Sequence, residues 1–324
     1  MELFKYKKPI NLMAKAKYFG ALSLIVVLIS WGIIFTKGFN YGIDFAGGTL
    51  IQIKYNDKNA PIKDIRAKLA TVKKFKNASV TKFGSDKEIV IRIKTTSKNV
   101  SNDVGDEIGK LLKDTGNLEI RRVDMVGPKI GSELREKGLK ATIFAIIGIL
   151  LYLTFRFEWR FAVASVVALI HDVSIALGAI ALFNVPFNLD ILAAILTILG
   201  YSLNDTIIVF DRIREGLQKI KDKTLAYVID ESVTKTLSRT TLTSLTTFFV
   251  VLVLYLFGGE ILKGFSFTLL VGIIVGTYSS IFIASPTLML LGFDINDYKK
   301  RLADKKKREI EKEKLRNQFE QGIV

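Results

Sequence analysis

Six stretches of this chain, Ala16–Thr36, Leu139–Phe155, Phe161–Phe183, Leu189–Phe210, Leu237–Phe257 and Gly264–Leu291, are almost continuously apolar, while most charges gather between them. That segregation excludes a soluble single-core domain, whose apolar residues would recur at helix or strand period along the whole length. A helix needs about 20 mostly apolar residues to cross the hydrocarbon core. Each stretch therefore predicts a spanning helix, with the slightly short second and fifth expected to run on into their polar flanks. The first is too long for the apolar part of a signal peptide and lacks a clean small-residue cleavage site, so a retained anchor is expected. Intrinsic disorder is excluded by 49% apolar residues. The absence of cysteine excludes thiol catalysis, disulfides and Cys-ligated zinc, and a single histidine is too few for a His-rich metal site. Neither a metal nor a cofactor is expected.

Basic residues in short loops orient the spans. The Arg156–Arg160 connection carries two Lys/Arg, Asp211–Arg239 seven and the segment after Gly292 ten, against none in Asn184–Asn188 and one in Gly258–Lys263. Both ends are thus expected in the cytoplasm. The expected organisation is a cytoplasmic stretch at 1–15, the first helix at 16–36, an exported domain at 37–137, helices two to six at 138–291 and a charged cytoplasmic tail at 292–324. The exported loop is rich in Lys and Arg, but loops of this length cross largely regardless of charge. Within it, Thr49–Tyr55 and Glu88–Lys94 alternate apolar and polar residues, and Ala78–Phe83 and Leu118–Val123 read as further strands. Pro61–Val72 and Val100–Leu112 place apolar residues at helical spacing. The order strand, helix, strand, strand, helix, strand is the split βαβ plan of an α+β ferredoxin-like domain. It carries no nucleophile–base pair, carboxylate cluster or phosphate-cradling loop, which favours a binding or mechanical role. The basic run Lys305–Arg308 in the tail fits a solvated end near an anionic leaflet, with docking onto a ribosome or another partner as the alternative; nucleic acid is not an expected partner.

Ionisable residues inside spans are costly and mark functional sites by default. The fourth span carries Asn204-Asp205 and the fifth carries Arg239 near its start, at a depth from which its side chain could reach Asp205. A buried carboxyl beside a fixed guanidinium changes its proton affinity whenever the two move apart, as coupling a proton to a motion requires. Tyr201, Thr243 and Thr246 offer hydroxyls to carry water towards it. The alternative is a static buried ion pair that fixes helix packing. His171-Asp172 in the third span is either a second proton site or a structural pair. As neighbours about 100° apart on a helix, the two are not expected to face each other. In the last span Gly264, Thr268, Gly272, Gly276, Ser280 and Ala284 recur every four residues, a stripe that lets another helix approach closely. Gly127-Pro128, with Gly131 and Leu134 beyond, suggests a loop-to-helix transition and hinge.

One helix, an exported domain and five further helices together resemble half of an RND-superfamily transporter. Asp44-Phe45-Ala46-Gly47-Gly48-Thr49 is similar to the Asp-Phe-x-Gly-Gly motif of the SecF family within the SecD/SecF group. Val126-Gly127-Pro128 with Gly131 and Leu134, and Gly200–Thr206 running on through Phe210-Asp211-Arg212 to Glu215, match that family's second- and fourth-span motifs. The resemblance covers roughly residues 10–292, and one small exported domain favours SecF over its sister SecD. The resemblance implies an accessory subunit that uses the proton gradient with SecD to promote translocation of unfolded preproteins through SecYEG. Its proton-passage aspartate and arginine fall on Asp205 and Arg239. It also implies that this chain supplies one six-helix half and needs the other. The competing readings are an RND-type exporter of lipids or small molecules, which would want a second fused half, and an assembly factor that moves nothing. An enzyme is disfavoured, and no Gly-x-x-x-x-Gly-Lys-Ser/Thr loop marks ATP as a direct fuel.

Overall fold

A computed structural model describes residues 8–57, 59–93, 104–219 and 223–320. Lys94 of an expected strand and residues 100–103 of an expected helix lie outside these. In chain order the elements are α1 (Ala16–Lys37), a short α2 (Ile43–Ala46), β1 (Gly48–Tyr55), α3 (Ile62–Thr71), β2 (Ser79–Phe83), β3 (Ser85–Ile93), α4 (Val104–Leu112) and β4 (Leu118–Val126). They continue with α5 (Pro128–Arg156), α6 (Trp159–Leu182), α7 (Leu189–Lys219), α8 (Leu225–Phe257), α9 (Gly259–Ser279), a π-helical turn (Ser280–Ala284), α10 (Ser285–Leu290) and α11 (Ile295–Glu320).

Among the described residues, six helices are long and apolar enough to cross a membrane: the first starting at Met13 before α1, then α5 to α8, and last α9 with its continuation to Leu290. Several outrun their apolar stretches. Proline at the first turn of α5, where its missing N–H costs nothing, starts that helix well before Leu139. At the other face α7 runs on to Lys219 and α8 begins at Leu225, so most of the expected Asp211–Arg239 loop is helix. Its Arg, Lys, Glu and Leu residues are good helix formers that need no apolar surroundings. α6, α7 and α9 are about half enclosed, whereas α1, α5 and α8 present mostly bare apolar surface.

The domain between α1 and α5 is a four-stranded antiparallel sheet ordered β2-β3-β1-β4. The register Ile51↔Ile91 and Ile53↔Ile89 sets the isoleucines of the central strands side by side. With Tyr55 and Ile93 they share one face and pack with Ile65 and Leu69 of α3 and Val104, Ile108 and Leu112 of α4. Burying each such side chain stabilises the domain by about 1.5–3 kcal/mol. Tyr55 is buried with its hydroxyl 2.7 Å from Thr115 Oγ1.

A second core lies at the end of the bundle away from the sheet, where Phe157, Phe161, Phe210 and Phe293 cluster edge-to-face. The tail, expected only to be charged, is the 26-residue helix α11, with Tyr298 tucked against Phe293 and the remainder largely exposed.

Candidate functional site in the bundle

Of the three carboxylates buried among the described residues, two face the packed helices α6, α7 and α9, Asp205 on α7 at 1% exposure and Asp172 on α6 at 0%; the third, Asp230, caps the segment before α1. Each of the first two is met chiefly by hydroxyls. Ser244 Oγ of α8 donates to Asp205 Oδ2 at 3.2 Å, and Thr277 Oγ1 of α9 lies 2.7 Å behind Ser244 Oγ. Asp172 Oδ2 accepts from Ser202 Oγ of α7 at 2.5 Å and Ser279 Oγ of α9 at 2.8 Å. The two sites thus share α7 through Ser202 and Asp205, three residues apart on one face. They share α9 as well, through Thr277 and Ser279.

Close approach of α9 to α7 makes this sharing possible. A Cβ on Gly272 would fall 2.3 Å from Ile198 Cγ1, and one on Gly276 would fall 3.0 Å from Ser202 Cβ. The four-residue stripe changes character at Ser280, where the helix widens into the π turn and Ser285 Oγ donates to the carbonyl of Ser280. Ser280 and Ala284 are buried there, beyond the regular α-helical register of Gly272 and Gly276.

His171 and Asp172 do meet, contrary to the expectation from helix geometry. The imidazole Nδ1 lies 2.9 Å from Asp172 Oδ1, because both side chains turn into the same enclosed space. His171 also stacks on Tyr278, whose hydroxyl donates to the carbonyl of Phe19 and accepts from Ser23, bringing α1 into the network. His171 Nε2 is buried without a partner.

Arg239 stands near enough for its charge to act on Asp205, without pairing with it. It sits 14 residues into α8, about 21 Å along the helix. Its side chain is exposed on the outer face, and no ion pair with Asp205 forms among the described residues. Thr243 and Thr246 share that exposed face, their hydroxyls bonded back to carbonyls of their own helix. Tyr201 bridges α7 to α8 by donating to the carbonyl of Thr243 at 3.2 Å. Asn204 is exposed beside it. The hydroxyl that reaches Asp205 is that of Ser244, which sequence reasoning passed over. Serines and threonines are frequent in these spans, and only the helix rotation distinguishes the one facing inward.

The other motifs fall at the two ends of the bundle. At the end that holds the phenylalanine cluster Asp211 pairs with Arg156 at 2.6 Å and with Arg214 at 3.5 Å, and Arg212 pairs with Glu215 at 2.5 Å. At the opposite end Asp44, Phe45, Gly47 and Gly48 lie in α2 and the turn into β1. Asp44 Oδ2 accepts the backbone N–H of Leu189, the first residue of α7, at 3.0 Å. Gly47 has φ +70°, a conformation that favours glycine, and a Cβ there would fall 2.9 Å from Pro128 Cα. Gly131 packs as tightly on Gly47 N from the first turn of α5. Phe45 is buried against Phe187 of the α6–α7 loop.

Comparison with known families matches residues 32–58 to the SecD/SecF GG motif and residues 107–294 to the C-terminal family of SecD/SecF protein export membrane proteins. The protein translocase subunit SecF of Helicobacter pylori strain J99 is 48% identical over 324 residues, covering 100% of both chains. That of Vibrio alginolyticus is 43% identical, covering 90% of this chain and 92% of its own. The crystal structure of SecDF from Thermus thermophilus superposes with a TM-score of 0.81 at 36% identity, covering 90% of this chain and 40% of that one. SecDF in its super-membrane-facing form gives 0.67 at 35% identity, covering 94% and 41%. The chain therefore spans about two fifths of those SecDF chains.

Proposed function

This chain belongs to the SecD/SecF family of protein export membrane proteins, and from that premise we propose that it couples the proton gradient to preprotein translocation as an accessory subunit of the Sec machinery. It is a translocase subunit rather than an enzyme. It works in the bacterial inner membrane with SecD as the second half of its bundle, beside SecYEG, on unfolded preproteins, with both termini in the cytoplasm. Asp205 is the proton carrier. Arg239, Tyr201 and Thr243 line the approach from the neighbouring half, and Asp172 is a second carboxylate on the same helix-to-helix network.

One observation carries this reading: a carboxyl enclosed in the bundle whose hydrogen-bond partner is the Ser244 hydroxyl, with no cation paired to it among the described residues. A static ion pair would hold its charge permanently. A carboxyl met by hydroxyls can take or lose a proton, while Arg239, on the exposed face, stands ready to stabilise the anion when α7 and α8 shift. Moving one charge through 100 mV is worth about 2.3 kcal/mol, enough to bias a two-state pose by tens-fold.

The test is preprotein export into inverted vesicles holding this chain with SecD and SecYEG, with ATP present and with or without an uncoupler. Asp205→Asn is expected to abolish the uncoupler-sensitive stimulation while the complex still assembles. Undiminished stimulation in that variant makes Asp205 structural and favours the assembly-factor reading.

A further inference from the structure

The Asp-Phe-x-Gly-Gly segment has no part in the proton site, yet it lies where the exported domain meets the helix that carries Asp205. Between α1 and β1 the chain forms a strap along residues 40–47, and three independent sets of contacts bind this strap. Asp44 Oδ2 accepts the Leu189 N–H at 3.0 Å, satisfying one of the orphan donors at the start of α7. Gly42 N donates to Phe187 O at 2.8 Å and Phe187 N to Asn40 O at 2.7 Å, with Tyr41 paired to Phe187 across a parallel bridge. On its other side the strap is wedged against α5, since a Cβ on Gly47 or Gly131 would lie 2.9 Å from backbone atoms of the opposing segment. The strap then leads directly into β1, a central strand of the exported sheet.

We infer that Asp44 is a coupling latch: by gripping the first N–H of α7 it makes the strap, and with it β1 and the start of α5, follow any displacement of the helix bearing Asp205. Asp44 is a positioning residue and takes no proton in this scheme. The geometry suits the task. Among the described residues β1 has no direct hydrogen bond to α7, so a shift of that helix reaches the sheet through the strap or through α5, which continues from β4 and packs on α7 where Gly138 meets Leu192. Backbone-to-backbone contact at Gly47 and Gly131 leaves no compliant side chain to absorb the shift. This inference rests on the reading of Asp205 as the proton carrier.

The chain has no native cysteine, so dyes on Lys63→Cys in α3 and Ile261→Cys at the outer end of α9 would report the domain's pose by energy transfer. The measurement is made in vesicles with SecD and SecYEG as a proton gradient is imposed and collapsed. Carbodiimide modification of Asp205 is followed separately as a readout of the proton site. Asp44→Ala is expected to leave Asp205 modification unchanged, yet to lose the gradient-dependent change in energy transfer and at least two thirds of the uncoupler-sensitive export. Asp44→Asn, whose amide oxygen still accepts from Leu189, should retain most of both. In dye-free Asp44→Ala vesicles, a disulfide between Tyr41→Cys and Phe187→Cys should restore export and reducing agent should remove it. That arm also decides the matter should Asp44→Ala assemble poorly, since a covalent strap replaces the missing hydrogen bond. A gradient-dependent pose change that persists in Asp44→Ala overturns the latch, as does failure of the formed disulfide to rescue. If Asp205→Asn leaves the pose change intact, the proton-carrier reading fails instead, and the latch is then judged by Asp44→Ala alone.

Discussion

Gly272 shows how finely the carboxylate network depends on one absent methyl group. A Cβ there would come within 2.3 Å of Ile198 Cγ1, 2.4 Å of Cδ1 and 3.0 Å of Cγ2, on a side chain that is itself buried and branched at Cβ. Ile198 has no free end to swing aside, so α9 must move off α7, and Ser279 must move off Asp172 with it. Gly272→Ala is expected to destabilise the bundle by about 1–3 kcal/mol, the usual cost of overpacking. Thermal unfolding in detergent checks this, with Gly148→Ala as the control, because nothing lies within 4 Å of a Cβ at Gly148. Adding Ile198→Ala should recover part of the loss, and strict additivity of the two changes would refute the contact. At this scale the sequence is legible where chemistry stands out against apolar surroundings. Asp205, Asp172 and the small-residue stripe announce themselves in that way. Ser202, Ser244, Thr277 and Ser279 do not, since a hydroxyl in a span costs little and bonds its own helix as readily as a neighbour. The exposed position of Arg239 was equally hidden, because reach along a helix says nothing of rotation about it.

Elements were readable where a period or a composition defines them, and their ends were not. The alternation in Thr49–Tyr55 and the helical spacing around Ile65 and Leu69 mark β1 and α3 almost to the residue. The inner end of α8 is different. It continues as helix through a charged stretch back to Leu225, and that extension does specific work. Asp230, buried on it, accepts the N–H groups of Leu12 and Met13, both at 2.9 Å, while Thr234 Oγ1 accepts that of Ile10 at 3.0 Å. The helical segment that leads into α1 has no side-chain cap of its own on Leu12, so a carboxylate from a distant helix supplies one. Asp230→Ala should cost about 0.5–2 kcal/mol, as loss of a cap does, and release the segment before α1. A single Met13→Cys, buried in the intact protein, is then expected to react with maleimide several-fold faster in the Asp230→Ala background. Equal rates would show that the segment is held by its apolar contacts alone.

The whole molecule carries one feature that no single element explains. Asn204 on α7 and Arg239, Thr243 and Thr246 on α8 are all exposed, and the last three recur at helical spacing to form one polar stripe down the bundle's outer face. An arginine facing lipid inside a span costs at least about 2.5 kcal/mol, so this face is suited to protein or a water-filled seam rather than to acyl chains. The outer face of α1 is its opposite in chemistry, with Leu24, Leu28 and Phe35 exposed and wholly apolar. The fold therefore distinguishes a polar outer side from an apolar one. The polar stripe is the surface on which the proposed SecD half would complete the bundle, enclosing Arg239 within reach of the helix that carries Asp205. A photoactivatable probe on Thr246→Cys is expected to cross-link to SecD in membranes holding both proteins, whereas the same probe on Leu28→Cys should label lipid. Arg239→Leu makes the stripe more apolar and should leave the cross-link in place while removing uncoupler-sensitive export, if the proposed role of its charge holds and shape alone brings the halves together. Loss of the cross-link together with export would instead give Arg239 a role in assembly. Cross-linking from Leu28 at the expense of Thr246 would place the partner on the opposite face and leave the exposed arginine without a physical explanation.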